Sequence, residues 1–154
     1  MTSASEDRSC YSCRQEAAGE GSPQRERIVT TPRWRLVHAF NSTSEGWLVA
    51  LPRRHVTTVE ALTREESAEL GPFLHRASSA LHAELDCEKT YVMQFSEAEG
   101  FEHLHFHVVA RGREVPAEHR GPNIFHYLRQ PPEEWVTAER QEELAIAIAR
   151  RLSS

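Results

Sequence analysis

The sequence lacks long apolar stretches, and no segment approaches the roughly 18 apolar residues that a membrane-spanning helix requires. The first nine residues lack the basic and apolar regions of a secretory signal, so we expect a cytoplasmic protein with no membrane partner. A glycine-rich phosphate loop of the Walker or dinucleotide type is also missing. The formal net charge of -5 argues against stable, charge-driven binding to nucleic acid, but it leaves room for a small anionic ligand in a local pocket.

Cysteine is scarce, and two of the three cysteines, Cys10 and Cys13, form a Cys-x-x-Cys pair. In a reducing compartment such a pair indicates metal ligands or a redox pair before it indicates a structural disulfide. The pair lies between two polar runs, residues 1–9, which we predict to be disordered, and residues 14–27, which we predict to be a loop. A cysteine pair between two polar segments is unexpected, and a bound metal would explain it.

Short apolar or alternating runs predict the strands of one ordinary-sized domain. The predicted strands are Trp34–Phe40, Trp47–Leu51, Thr90–Phe95 and His103–Ala110. Turn-rich residues lie between the first two and between the last two, so we predict two hairpins.

Two helices are predicted between and after these strands. Thr63-Arg-Glu-Glu66 fits a capping box, and apolar residues recur after it at helical spacing as far as Leu81. Pro72 falls inside this pattern, where it should kink the helix or mark a restart. Residues 139–152 predict an amphipathic helix, and the order of elements favours an α+β fold with an antiparallel sheet.

The sharpest feature is His103-Leu-His-Phe-His-Val-Val109. Alternation along a strand would put His103, His105 and His107 on one face, with neighbouring imidazoles about 6 to 7 Å apart. A merely solvated face does not need three groups that titrate near neutrality. A metal site and a nucleophilic imidazole positioned by its neighbours both remain open on these grounds.

This segment resembles the alternating histidine and hydrophobic signature of the histidine triad (HIT) superfamily. The run from Gly46 to His55 (GWLVALPRRH) is similar to that family's Gly-His-hydrophobic-Pro-Lys-His segment, with Trp47 in place of the usual histidine. The resemblance covers residues 10–111 and implies a HIT domain there, with a five-stranded antiparallel sheet, helices packed on it, and a homodimer. Residues 112–154 have no match, and we expect them to form an extension whose helix packs on the same domain.

The resemblance implies a nucleotide hydrolase or nucleotidyltransferase that acts at an α-phosphate. His105 would attack the phosphorus and form a covalent nucleotidyl-histidine, while His107 would hold a phosphate oxygen. The substrates would be dinucleoside polyphosphates, nucleoside phosphoramidates or adenylylated molecules. Phosphoryl transfer depends more on positioned donors than on strong bases, so the chemistry of these residues agrees.

The resemblance also implies nucleotide contacts outside the triad. Gln94 would bond the ribose or a phosphate, and the turn at Glu99 and Gly100 would lie against the phosphates. Asn41 would bind the ribose hydroxyls, and the adjacent Phe40 is the best candidate to contact the base.

One subset of the superfamily carries a zinc site, and this chain matches its pattern in order. Cys10, Cys13, His55 and His103 would together make a tetrahedral Cys₂His₂ site. All four positions are protein ligands, so the zinc would be closed and structural. His103 and His105 would then have different roles.

The stretch Glu99-Gly-Phe-Glu102, just before the triad, departs from the family. Many hydrolytic members carry a glutamine or serine there, with a hydroxyl that helps the leaving group depart. No hydroxyl is available in this stretch, which favours, as the alternative, a non-catalytic nucleotide-binding or regulatory HIT protein. A third hypothesis is a metallohydrolase in which the three triad histidines bind a catalytic metal.

Overall fold

The structure, a computed structural model, describes residues 9–153. The predicted disorder of the N-terminus falls almost entirely on residues 1–8, which lie outside the described residues. The helices and strands are α1 Tyr11–Ala18, β1 Val29–Thr30, β2 Trp34–His38, β3 Trp47–Pro52, α2 Arg64–Glu84, β4 Lys89–Met93, β5 Phe106–Arg111 and α3 Ala138–Leu152. Between residues 9 and 153 no helix is long and apolar enough to cross a membrane.

The five strands form one antiparallel sheet in the order β1-β2-β3-β5-β4. Both predicted hairpins are present, β2 with β3 and β4 with β5. The turn of the first hairpin requires a glycine, because Gly46 has φ +81° and a Cβ there would meet Leu85 Cδ1 at 2.5 Å. The short β1 supplies the fifth strand, so the predicted α+β fold with a five-stranded antiparallel sheet is confirmed.

The strand predicted over His103–Ala110 begins later, at Phe106. Leu104 N–H instead donates to the carbonyl of Val56, which lies in the loop after β3. The first two triad histidines therefore precede β5, with a bend at His103, and His107 alone lies within the strand. This arrangement lets the three side chains point to different neighbours.

The helix α2 begins at the predicted capping box, in which Thr63 Oγ1 accepts the Glu66 N–H and the Glu66 carboxylate faces the Thr63 N–H. Pro72 lies inside this helix, which does not restart there. Its buried face carries Phe73, Ala77 and Leu81 onto the sheet. Helix α3, which was predicted over residues 139–152, packs beside it.

The loop prediction for residues 14–27 was wrong at its start, because α1 extends to Ala18. Tertiary contacts stabilise this short helix. Glu16 pairs with Arg35 and Arg53, and Gly19 (φ +50°) caps the C-terminus by donating to the Gln15 and Glu16 carbonyls.

The sheet carries a hydrophobic cluster on each face, since alternate strand residues point to opposite sides. The larger one joins α2 and α3 to residues such as Leu48 and Val108. On the other face Trp47 and Val109 pack against Ile124, which is 0% exposed. Ile124 belongs to the 3₁₀ helix Gly121–Leu128, so residues 112–137 cross the face of the sheet that α2 and α3 leave open.

Candidate active site and metal cluster

A cavity of about 380 Å³ lies on the face of the sheet away from α2 and α3. One part of its wall carries His105, His107 and Ser96, and another carries the aromatic residues Tyr11 and Phe40. Of the predicted site residues, His105, His107, Phe40 and Asn41 line this cavity.

His105 is half-buried, and its orientation is fixed by the backbone. Its Nδ1 lies 2.7 Å from the His103 carbonyl oxygen. A carbonyl only accepts hydrogen bonds, so Nδ1 carries the proton and Nε2 keeps its lone pair. Burial lowers the pKa of His105, while the bond to His103 opposes this shift, and the neutral imidazole is thereby favoured.

His107 is buried, and its ring centroid lies 4.9 Å from that of His105. This distance is shorter than the predicted 6 to 7 Å. That prediction assumed that both histidines lie in a regular strand, whereas only His107 does. Trp47 Nε1 donates a hydrogen bond to His107 Nδ1 at 2.9 Å. Phe125 packs perpendicular to the His107 ring at 5.1 Å, and burial followed by the nearby His105 lowers the pKa of His107 to about 3.

Ser96 supplies a hydroxyl that the sequence analysis did not assign to the site. Its Oγ accepts the backbone N–H of His105 at 3.1 Å and the Gln94 side-chain amide at 2.9 Å. The residue has φ +58°, and this left-handed conformation turns the chain back against the triad. The stretch Glu99–Glu102 itself has no hydroxyl, but Ser96, nine residues before His105, brings one to the triad.

The turn before the triad only partly faces the cavity. Glu97 and Ala98 line the cavity, whereas Glu99 is exposed and does not line it. Gly100 has φ +81°, and its carbonyl accepts the Tyr11 N–H at 3.4 Å. Gln94 reaches the cavity wall only through its bond to Ser96.

The aromatic part of the cavity rests on a buried ionic network. The Tyr11 ring lies 5.2 Å from Phe40 and 5.5 Å from Phe101. The Tyr11 hydroxyl donates to the Glu26 carboxylate at 2.5 Å, and burial together with that carboxylate raises the pKa of Tyr11. Arg35 lies 3.5 Å from Glu26, and both residues line the cavity. None of these contacts follows from local sequence, since the residues come from α1, the turn after it, β2 and its end, and the turn before the triad.

The four predicted metal ligands lie together. One donor atom from each of Cys10, Cys13, His55 and His103 can be chosen so that all lie within 4.8 Å of one another. Cys13 Sγ lies 3.2 Å from His55 Nδ1, while His103 Nδ1 lies 3.6 Å from Cys10 Sγ and 3.7 Å from Cys13 Sγ. Tetrahedral zinc, with Zn–S of about 2.3 Å and Zn–N of about 2.0 Å, separates sulfur from nitrogen by about 3.5 Å. The cluster could therefore hold a metal ion of this kind.

The orientation of His103 suits it to bind a metal through Nδ1. Its Nε2 lies 2.8 Å from the Pro52 carbonyl oxygen, so Nε2 carries the proton and the Nδ1 lone pair faces the two thiols. Burial lowers the pKa of His103 to about 4, which keeps the imidazole neutral. Cys10 caps α1, and the Cys13 N–H donates to its sulfur, so the helix start brings both thiols to the cluster.

Comparison with known proteins was made by sequence and by structure. The family model of the HIT domain matches residues 21–114, which is more than half of the chain. No curated protein sequence gives a significant match.

Solved structures give many matches. A hypothetical histidine triad nucleotide-binding protein from Sulfolobus tokodaii is 14% identical over 92% of each chain, with a TM-score of 0.68. A zinc-bound histidine triad family protein from Mycobacterium smegmatis is 16% identical over 94% of this chain and 93% of its own, with a TM-score of 0.65. Diadenosine triphosphate hydrolase from Plasmodium falciparum, solved with Cyclomarin A, is 13% identical over 86% of this chain and 79% of its own, with a TM-score of 0.64. Likenesses at these identities show a shared fold.

Proposed function

The chain belongs to the HIT domain family, and from this premise we propose that it hydrolyses or transfers nucleotides at the α-phosphate through a covalent adduct on His105. One observation carries the proposal. His105 lines the cavity with its Nδ1 proton bound by the His103 carbonyl, so its free lone pair is on Nε2. A neutral imidazole held in one tautomer is a ready nucleophile.

The reaction proceeds in two displacements. His105 Nε2 forms a bond to the α-phosphorus, and the bond from phosphorus to the leaving group breaks with its electron pair on that group. Water then attacks the phosphorus, and the P–N bond breaks with its electron pair on His105 Nε2. The nucleoside monophosphate departs, and the water's spare proton passes to solvent. In the adduct His105 keeps its Nδ1 proton and gains positive charge, which the His103 carbonyl stabilises.

The cavity provides complementary surfaces for the parts of a nucleotide. We assign the base to the aromatic wall at Phe40 and Tyr11, and the ribose hydroxyls to Asn41. His107 holds a phosphate oxygen, and the Gln94 amide acts through Ser96. We keep Glu99 and Gly100 in the turn that faces the phosphates. Of the two carboxylates in this turn, that of Glu97 lines the cavity.

The leaving group stays open among dinucleoside polyphosphates, nucleoside phosphoramidates and adenylylated molecules. The structural likeness to a diadenosine triphosphate hydrolase makes that class of substrate the first to test. Ser96 supplies a hydroxyl beside His105, which weakens the argument for a binding protein without activity.

We propose that the metal cluster holds a structural zinc ion. Cys10, Cys13, His55 and His103 would occupy all four positions of a tetrahedral site and leave none for water. A catalytic metal on the triad fits less well. His103 faces the two thiols with Nδ1 and the Pro52 carbonyl with Nε2, so neither nitrogen is directed to a site shared with His105 and His107.

Residues 112–154 are proposed to form one structural unit with residues 10–111, because Ile124 and α3 both pack on the sheet. Cytoplasmic location stays a proposal, as does a homodimer, which rests on the family alone. Sedimentation of the purified protein would test the second.

The decisive experiment compares the wild type with His105→Ala and with His75→Ala, an exposed histidine of α2 that serves as the control. Each protein is incubated with diadenosine triphosphate, adenosine phosphoramidate and ADP. AMP release is followed by chromatography, and intact mass is checked for an adduct. We expect AMP and an AMP-sized mass increase in the wild type and in His75→Ala but not in His105→Ala. Tight nucleotide binding without turnover or adduct would instead support the non-catalytic alternative.

Metal content tests the second proposal separately. The wild type and His105→Ala should each carry one zinc ion per chain, and Cys13→Ser should lose it. The control is Cys87→Ser, which removes a cysteine outside the cluster. Zinc that survives in Cys13→Ser but disappears in His105→Ala would place the metal on the triad and favour the metallohydrolase.

A further inference from the structure

Trp47 and His107 form a buried pair whose hydrogen bond has only one direction. Trp47 is fully buried, and its Nε1 lies 2.9 Å from His107 Nδ1. The indole N–H donates and never accepts, so His107 Nδ1 must be the acceptor. The only ring proton of a neutral His107 is therefore on Nε2.

The packing around the pair keeps this arrangement in place. Trp47 lies edge-on to His107, with ring centroids 5.7 Å apart, and Phe125 covers both rings at 5.5 and 5.1 Å. A proton on Nδ1 of His107 would point at the indole N–H with no acceptor between them. His107 consequently presents Nε2–H as a fixed donor, and it lines the same cavity as His105.

We propose that Trp47 makes His107 a donor that holds a phosphate oxygen but cannot transfer a proton, so that the site selects phosphoanhydrides over phosphoramidates. The inference rests on the proposed function and names the substrate class of that site. Giving up the Nε2 proton would leave His107 as an imidazolate anion, which is too basic to form at neutral pH. Trp47 acts here as a positioning residue.

The two substrate classes differ in their need for that proton. When His105 Nε2 bonds to the phosphorus of an anhydride, the breaking P–O bond leaves its electron pair on a phosphate oxygen, and the group departs as a stable anion. When the same attack breaks a P–N bond, the nitrogen must gain a proton as it departs. With His107 unable to supply it, the amine leaves slowly.

The tautomer of His107 is measured without any turnover. Long-range ¹H–¹⁵N correlation spectra of protein labelled at histidine separate protonated from unprotonated ring nitrogens, and His107→Asn identifies the signals of this residue. The wild type should show His107 with Nδ1 unprotonated and Nε2 protonated. In Trp47→Phe the two tautomers should mix, and in Trp47→His the donor should be restored in part.

Kinetics tests the selectivity. In the wild type kcat/KM for diadenosine triphosphate should exceed that for adenosine phosphoramidate by about a hundredfold or more, since proton transfer contributes at least about that much. Trp47→Phe should lower kcat for the anhydride more than it raises KM. Trp47→His should recover kcat and narrow the preference, because an imidazole can pass on a proton and an indole cannot. If kcat recovers in Trp47→His, its loss in Trp47→Phe comes from the missing hydrogen-bond donor and not from the smaller side-chain volume.

The control is Trp34→Phe, which removes another fully buried indole, one that donates to the Glu66 carbonyl at 2.9 Å in the other hydrophobic cluster. It should leave the substrate ratio and the His107 signals unchanged. Equal turnover of both substrates, or a wild-type His107 with its proton on Nδ1, overturns the inference. AMP release from neither substrate overturns the proposed function and the selectivity with it, while the spectra still decide the role of Trp47.

Discussion

His38 should make a pH-dependent contribution to stability, and it is not one of the proposed catalytic residues. Its side chain is 0% exposed at the end of β2. Nδ1 lies 2.9 Å from the Ala39 carbonyl, and Nε2 accepts the Gly46 N–H at 3.1 Å. Burial lowers the pKa of His38 to about 4, although the bond to the Ala39 carbonyl opposes this shift. A second proton would also displace the bond from Gly46.

The size and sign of the effect follow from that shift. The unfolded chain binds a proton near the ordinary value of 6.5 and the folded chain near 4, a difference of about 2.5 pKa units, and each unit is worth about 1.36 kcal/mol. The unfolded state binds more protons between these values, so the stability is fully present above pH 6.5 and is lost as the pH falls toward 4. The total is about 3.4 kcal/mol, of which about 2 kcal/mol is lost by pH 5.

The assay is urea unfolding followed by tryptophan fluorescence at pH 7.5 and pH 5, for the wild type and His38→Gln. Glutamine does not titrate, so subtracting the two proteins cancels the contributions of the other histidines. The wild type should lose about 2 kcal/mol more than His38→Gln between the two pH values. The exposed His82 provides the control substitution, His82→Gln, which should behave as the wild type. A difference below about 0.5 kcal/mol would refute the reasoning.

Further substitutions test the elements that build the cavity. Ile124→Ala should lower the free energy of unfolding by about 2–5 kcal/mol in denaturant titrations, and a near-neutral result would mean that residues 112–137 do not share the core. Gln141→Leu removes two bonds, to the Phe40 and Val136 carbonyls, and should cost about 1–3 kcal/mol and raise KM, whereas an unchanged KM would separate α3 from the cavity. Ser96→Ala leaves the His105 N–H without its acceptor, so kcat in the AMP assay should fall while zinc content stays constant.

The elements that could be predicted from sequence are those whose signals are local. Two hairpins have turn-rich connections, α2 has a capping box, and α3 has an apolar stripe, and each of these patterns acts over a few residues. Helix α1 could not be predicted this way. It has eight residues, fewer than an isolated helix needs, and it depends on ion pairs that Glu16 makes with two distant arginines.

The candidate site also divides into features with a local sequence signal and features that depend on distant contacts. The Cys-x-x-Cys pair and the triad are compact motifs, so the cluster of Cys10, Cys13, His55 and His103 could be predicted. The tautomers could not, because they depend on backbone carbonyls that local alternation does not place, such as those of His103 and Pro52. Ser96 was missed for a related reason, since its left-handed backbone, which turns it toward His105, has no signature in a serine.

Helix α1 connects the four candidate metal ligands, Cys10, Cys13, His55 and His103, to the cavity. Cys10, the N-cap of α1, and Cys13, in its first turn, belong to the group of candidate ligands. Tyr11 follows Cys10 in sequence and lines the cavity. The Tyr11 N–H also bonds the Gly100 carbonyl, in the turn that precedes the triad. A helix of this length is not stable in isolation, so a metal bound at its first turn would stabilise it and would also hold Tyr11 in the aromatic part of the cavity wall. A structural zinc in this family member would therefore act on nucleotide affinity as well as on folding.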